Sequence, residues 1–227
     1  MPPAAAADPM EALSDGEIGP LYWVCGKERF LVDRAVARIK ERVLDPRTRD
    51  FNYDLFYAKE AGAAKIVQSS RTLPMMAKRR LIIVRDGDAL DAKGLEPLLP
   101  YVASPAPETC LVFVADAADA KQKKFFTAFG KHGVVLKFEP LKDRQLPAFI
   151  RDEAKARKVK LDNGVAELLA EEVGAELGPL VDAVERLELY VAGRGGERRI
   201  TVADVEAVVA TTRQRSVFEL VDAIGEG

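Results

Sequence analysis

Leu21-Tyr22-Trp23-Val24-Cys25 is a short apolar run that ends at Gly26 and leads directly into a helical pattern. That pattern ends at Asp45-Pro46, where proline stops the helix. One face of the predicted helix carries apolar residues at helical spacing, and we expect it to be buried: Phe30, Leu31, Ala35, Ile39 and Val43. A strand, a glycine turn and a helix in this order indicate the first unit of an α/β domain.

Further strand-like runs follow along the chain. Residues 81–84 and 111–114 are continuous apolar runs typical of strands buried on both faces, and 134–138 is a last strand candidate. Residues 51–57 alternate aromatic and polar side chains, as a half-buried strand does. Helical patterns at 64–71 and 121–129 separate these runs. The alternation predicts a parallel sheet with helices on both faces.

The pattern changes at Pro140, after which no strand is expected. Four segments have helical periodicity: 145–158, 163–173, 179–191 and 202–210. Thr201, followed three residues later by Asp204, is a predicted N-cap. The expected organisation is a disordered tail over 1–19, an α/β domain over 20–140, a small helical domain over 141–212, and the start of a further helical domain over 213–227 in a shortened gene product.

Composition limits the function classes. The chain is 48% hydrophobic and 31% charged with a formal net charge of -2, which gives no case for a dedicated DNA-binding protein. No apolar run approaches membrane-spanning length, so a soluble cytoplasmic protein is expected. Cys25 and Cys110 are predicted to be small buried hydrophobes, and with a single histidine, His132, they argue against a structural metal site.

An α/β domain followed by a helical domain is the layout of the AAA+ ATPases, which bind nucleotide through a phosphate-binding loop. The motif G-x-x-x-x-G-K-[ST] is reduced here to Gly26-Lys27-Glu28, with Leu21 at the first glycine position and a carboxylate in place of the hydroxyl. The acidic segment 84–88 is a weak match to the second nucleotide motif. The sequence predicts a degenerate loop without ATP hydrolysis. An active P-loop ATPase with a divergent loop is the alternative, and in that case a change at Lys27 would weaken nucleotide binding.

Several stretches, taken in order, resemble bacterial DNA polymerase III delta subunits. They are 21–31, Asp50-Phe51-Asn52-Tyr53, 71–84 as the best match, 173–190, 200–205 and 217–224. The resemblance implies an AAA+-like α/β domain, a helical lid and the start of a collar domain that is almost wholly absent. It also implies a clamp-opening subunit with no cofactor and no catalytic residues. The implied partners are the beta sliding clamp, the gamma/tau and delta-prime clamp-loader subunits, and primed DNA through the complex, with no membrane.

Leu73-Pro74-Met75-Met76 is the candidate binding segment. Adjacent methionines cannot both face one side of a strand or helix, so at least one is expected at the surface unless the loop curls. The resemblance implies that Met75 and Met76 insert into a hydrophobic pocket on the clamp, with Leu73 in support. The alternative is that these residues only cap the core.

Basic residues lie before the third strand and around the helix at 121–129, and they are either solvated side chains or phosphate contacts. The solvated interpretation is favoured for the lysines, and no residue is assigned to DNA. The basic residues are Lys78, Arg79, Arg80, Lys121, Lys123, Lys124 and Lys131. Phe125, Phe126 and Phe129 are predicted to lie on the buried side of that helix. An unrelated doubly wound enzyme with a helical cap and a pure scaffolding protein are the remaining alternatives.

Overall fold

Five parallel strands form the central sheet of the N-terminal part of the chain, in the spatial order β2-β3-β4-β1-β5. The strands are β1 Leu21–Cys25, β2 Tyr53–Tyr57, β3 Arg80–Arg85, β4 Thr109–Ala115 and β5 Gly133–Lys137. The computed structural model describes residues 9–13, 17–118, 122–195 and 197–210. The chain divides into two compact units, Met1–Pro140 and Leu141–Gly227. The predicted α/β class with a parallel sheet and flanking helices is confirmed.

The connections between strands contain the helices of the first unit. These are α1 Arg29–Val43, α2 Ala58–Ser70, α3 Ala92–Leu95, α4 Leu99–Ala103 and α5 Lys123–Phe129. Helix α2 begins six residues before the predicted start and is kinked at Gly62, whose φ is 67°. Phe51, expected in a strand, lies instead in the short 3-10 turn Arg49–Phe51 that precedes β2.

One face of the sheet packs against α1. Central strands contribute alternate side chains to each face, because successive residues of a strand point in opposite directions. Helix α1 buries an apolar stripe at positions i, i+3, i+4, i+7 and i+11, namely Val32, Ala35, Val36, Ile39 and Val43. The predicted face was therefore right at its last three positions. Leu31 is half-buried and packs against the same core, whereas Phe30 is half-buried and was predicted wrongly.

The opposite face contains an aromatic cluster around Trp23. Its ring stacks on Phe113 with centroids 5.2 Å apart and meets Phe126 edge-on at 5.0 Å. Phe125 and Phe129 complete the cluster, so the three phenylalanines of α5 lie on its buried side as predicted. Edge-to-face and offset pairs of this kind add to the free energy gained by burying the rings.

The segment before β1 is partly folded. Residues Glu11–Leu13 form a 3-10 turn, and Leu13 and Ile18 are buried against the α1 face of the sheet. The guanidinium of Arg79 donates to the carbonyl oxygens of Ile18 and Gly19. The expectation of a disordered tail over 1–19 does not hold at these described residues, because their apolar side chains fill part of the core.

The second unit is mainly helical. It contains α6 Leu146–Ala156, α7 Val165–Val173, α8 Leu177–Gly193 and α9 Val202–Val205, followed by the π-helical turn Glu206–Ala210. The expectation that no strand follows Pro140 is wrong, because β6 Lys160–Leu161 pairs in parallel with β7 Arg199–Ile200. Thr201 caps α9 as predicted, with its hydroxyl accepting from the Asp204 N–H at 3.4 Å. Residues 213–227, expected to start a further domain, lie outside the described residues.

Candidate functional site

The loop between α2 and β3, residues 71–79, contains the candidate binding segment. Helix α2 ends at Ser70, whose buried hydroxyl donates to the Ile66 carbonyl at 2.7 Å. Pro74 lacks a backbone N–H and cannot continue a helix. The chain leaves the helix here and enters β3 at Arg80. The loop therefore connects two buried elements at the edge of the sheet beside β2.

Three large apolar side chains of this loop are exposed. Leu73 is 74% exposed, Met75 54% and Met76 84%. The alternative in which these residues cap the core is excluded for all three, because none is buried. Phe51, which was not singled out from the sequence, is 64% exposed next to Asn52. Exposed apolar side chains grouped on one surface are typical of a protein interface.

A buried side chain holds the backbone of the loop at Met75. The Asn52 carboxamide oxygen accepts from the Met75 N–H at 2.7 Å, and its nitrogen donates to the Met75 carbonyl at 2.9 Å. The same nitrogen donates to the Thr48 carbonyl at 2.9 Å. The next residue, Met76, has a left-handed backbone with φ of 54°. A non-glycine residue keeps this conformation only where its surroundings hold it.

The arginines that follow the loop are engaged inside the molecule. Arg80 is buried, pairs with Asp54 of β2 and donates to the Thr72 carbonyl at 3.4 Å. Arg79 donates to the carbonyls of residues before β1. These guanidinium groups therefore stabilise the base of the loop. Lys78 is exposed, as are Lys123, Lys124 and Lys131, while Lys121 lies outside the described residues.

The position of the degenerate phosphate loop is closed by the chain itself. Gly26 has φ of 131°, and a Cβ atom there would lie 1.8 Å from the Phe138 carbonyl oxygen. That oxygen accepts from the Glu28 N–H at 3.2 Å. The Glu28 carboxylate in turn accepts from the Phe30 N–H at 3.3 Å. The backbone donors that would face a phosphate at the start of α1 are thus bonded within the protein.

Thiols and metal-binding groups offer no alternative centre in the described part of the chain. Burial raises the pKa of Cys25 to about 11 and that of Cys110 to about 12, so both thiols are protonated and unreactive near neutrality. His132 is exposed. Among the residues that the structure describes, no three His, Cys, Asp or Glu side chains are grouped to hold a metal ion. Within the same residues, no helix combines the length and the apolar character needed to cross a bilayer.

Comparison with known proteins identifies the family of the chain. The family model for the DNA polymerase III delta subunit matches residues 22–139, just over half of the chain. DNA polymerase III subunit delta of Bacillus subtilis is 29% identical over 226 residues, which cover 96% of this chain and 64% of that protein. The chain thus spans less than two thirds of the length of this relative. The solved structure of the Bacillus subtilis DNA clamp loader delta protein (YqeN) superimposes with a TM-score of 0.76 at 26% identity, covering 96% of this chain and 71% of that one. The chain therefore belongs to the DNA polymerase III delta subunit family.

Proposed function

We propose that this chain is the clamp-opening subunit of the bacterial DNA polymerase III clamp loader. It binds the beta sliding clamp and helps to load it on primed DNA during replication, without ATPase activity of its own. Residues 20–140 are the AAA+-like domain, 141–212 the lid, and 213–227 the beginning of the collar. The gamma/tau and delta-prime subunits are the partners with which it acts, and DNA is reached through the complex.

The observation that carries this proposal is the exposure of Leu73, Met75 and Met76 on a loop whose backbone is hydrogen-bonded to the buried Asn52 side chain. Methionine adapts its unbranched side chain to the shape of an apolar pocket. Burying one such side chain contributes roughly 1.5–3 kcal/mol, so two methionines can supply most of the binding free energy of a small interface. Met75 and Met76 are the anchors in this proposal, and Leu73 supports them.

Clamp opening needs no chemistry in this chain. A closed ring and an open ring are two states in equilibrium, and a ligand that binds the open edge more tightly shifts the population toward opening. The size of the shift is limited by the difference between the two affinities. A rigidly presented pair of apolar anchors suits this role, because little free energy is lost in ordering the loop on binding.

The geometry around Gly26 supports a subunit that does not hydrolyse ATP. The N–H groups of Glu28 and Phe30 already have acceptors inside the protein, at Phe138 and Glu28. A bound phosphate would have to displace these contacts and approach the Glu28 carboxylate. No observation favours the alternative of an active ATPase with a divergent loop.

The test is binding of the 227-residue chain to the beta sliding clamp of its own organism. The chain is compared with a Met75→Ala, Met76→Ala variant. The matched control is Leu189→Ala, Tyr190→Ala, which changes an adjacent apolar pair on α8 that is 72% and 42% exposed. We expect binding by the wild type and the control, and a loss of about a hundredfold or more in the methionine variant.

Each outcome bears on a separate part of the proposal. Equal binding by all three proteins would keep the clamp as partner and remove Met75 and Met76 as anchors. Absence of binding by folded wild type would overturn the clamp-opening function. Nucleotide titration of the wild type and of a Lys27→Ala variant completes the test, because tight ATP binding that depends on Lys27 would favour the ATPase alternative.

A further inference from the structure

The side chain of Asn52 makes three hydrogen bonds although it is not part of the exposed surface. Two go to the backbone of Met75, one as acceptor at 2.7 Å and one as donor at 2.9 Å, and the third goes to the Thr48 carbonyl. The side chain is buried. It does not touch solvent and cannot itself contact a partner.

The backbone of Asn52 is part of the sheet assembly. Its carbonyl accepts from the Leu81 N–H at 2.8 Å, beside the first pairs of β2 and β3. Its N–H donates to the Arg49 carbonyl at 3.0 Å. The residue therefore connects the loop at Met75 to the beginning of β3 at Leu81. Asn52 and Met75 are 23 residues apart in the sequence.

Only a carboxamide satisfies all of these contacts. The Met75 N–H requires an acceptor, and the Met75 and Thr48 carbonyls require donors. Asparagine carries one oxygen and an NH₂ group with two donors, which matches this set. An aspartate at this position would keep the acceptor and lose both donors, and an alanine would lose all three contacts.

We propose that Asn52 is a positioning residue for clamp binding, which presents the Met75–Met76 anchors in a binding-competent conformation without touching the clamp. This inference rests on the proposed function above. Loss of the Asn52 contacts frees Met75 and the left-handed Met76 to adopt other conformations. The apparent affinity then falls in proportion to the fraction of molecules whose loop remains competent.

The experiment compares Asn52→Ala with the wild-type 227-residue chain. The clamp affinity is expected to fall by about tenfold or more, the loss that follows from removing two hydrogen bonds that order the loop. Amide hydrogen exchange provides the second readout: the Met75 N–H is expected to exchange faster, while the amides of β3 and β4 stay protected. Val112→Ala, a change in the buried centre of β4, is the control for a general loss of stability. It is expected to lower the unfolding midpoint without changing clamp affinity.

The outcomes separate this inference from the function on which it depends. If Met75→Ala, Met76→Ala abolishes binding and Asn52→Ala leaves affinity unchanged, Asn52 is not a positioning residue and the clamp-opening function stands. If the methionine variant binds normally, the anchors are wrong, and Asn52 loses its role with them. Should Asn52→Ala fail to fold, Asn52→Ser carries the same comparison, because a single uncharged hydroxyl cannot replace the three carboxamide contacts and places no charge in this buried position.

Discussion

Arg80 at the start of β3 and Asp54 in β2 form an ion pair at the base of the candidate binding loop. Asp54 also accepts from the Ser69 hydroxyl at 2.6 Å, and Arg80 donates to the Thr72 carbonyl at 3.4 Å. The pair thus connects the edge strand, the last turn of α2 and the first residues of the loop. A guanidinium buried in this way depends on its counter-charge, because a buried unpaired charge is costly.

The Asp54→Ala variant is expected to lose about 2–4 kcal/mol of unfolding free energy, since Arg80 keeps its charge in a buried place. Asp33→Ala is the matched control. Asp33 pairs with Arg85 at 3.3 Å, but the two side chains are 60% and 40% exposed, and solvent-exposed pairs contribute about 0–1 kcal/mol. Chemical denaturation of both variants measures the difference. Equal losses would contradict a structural role for the Arg80–Asp54 pair.

Gly26→Ala is expected to be among the most destabilising single substitutions of the first unit. The new Cβ would lie 1.8 Å from the Phe138 carbonyl oxygen, and the backbone at φ of 131° disfavours any side chain. We expect a loss of about 3 kcal/mol or more, or failure to fold.

Gly62→Ala is the control for the Gly26→Ala substitution. Its φ is 67°, but a Cβ there meets nothing within 4 Å, so only the left-handed backbone is penalised, by about 1–2 kcal/mol. Thermal or chemical unfolding measures both variants. A Gly26→Ala protein as stable as Gly62→Ala would mean that the segment after β5 does not pack tightly against Gly26.

The central strands could be predicted from the sequence because β1, β3 and β4 are continuous apolar runs, which few other structures explain. The sequence of residues 87–103 predicts no element, since these residues form helical pieces of three to five residues with too few turns to show a period. Strands β6 and β7 could not be predicted for the same reason, because each has only two residues. Local periodicity therefore predicts long helices and strands but cannot predict elements of only a few residues.

The candidate site shows a similar division. Exposure of at least one methionine followed from their adjacency, because neighbouring side chains cannot share a buried face. The role of Asn52 could not be foreseen, since a hydrogen bond to a residue far along the chain leaves no local pattern. Phe51 was counted in the strand pattern of residues 51–57, and only the 3-10 turn before β2 places it at the surface.

Alkaline pH is expected to destabilise the first unit through its buried thiols. Burial raises the pKa of Cys110 from its ordinary 9.0 to about 12 in the folded state. The unfolded thiol loses its proton first, so the contribution to stability is complete below pH 9 and is lost as the pH rises toward 12. Burial also raises the pKa of Tyr22 and Tyr101, whose ordinary value is 10.0. The change in unfolding free energy between pH 9 and 10 is therefore due mainly to the thiols.

Cys110→Ala tests this dependence. The variant is less stable at neutral pH because it leaves a small cavity, but its unfolding free energy should fall less steeply between pH 9 and 10. Denaturant titrations at pH 7, 9 and 10 on the wild type and the variant provide the measurement. Parallel curves would show that Cys110 does not contribute to the alkaline loss of stability.

Phe51 is expected to extend the proposed clamp-binding surface beyond the loop. The residue is exposed and directly precedes Asn52, whose side chain bonds to the backbone of Met75, so the backbone of Phe51 lies close to the loop. Phe51→Ala should weaken clamp binding by about five- to thirtyfold, because an aromatic side chain at an interface contributes roughly 1–2 kcal/mol. Its unfolding free energy should change by no more than about 0.5 kcal/mol, since the ring is not in the core.

Titration of the clamp with Phe51→Ala and with Tyr57→Ala, an exposed aromatic at the far end of β2, separates the two positions. A larger loss for Tyr57→Ala would place the clamp on the exposed face of β2 instead of on the loop.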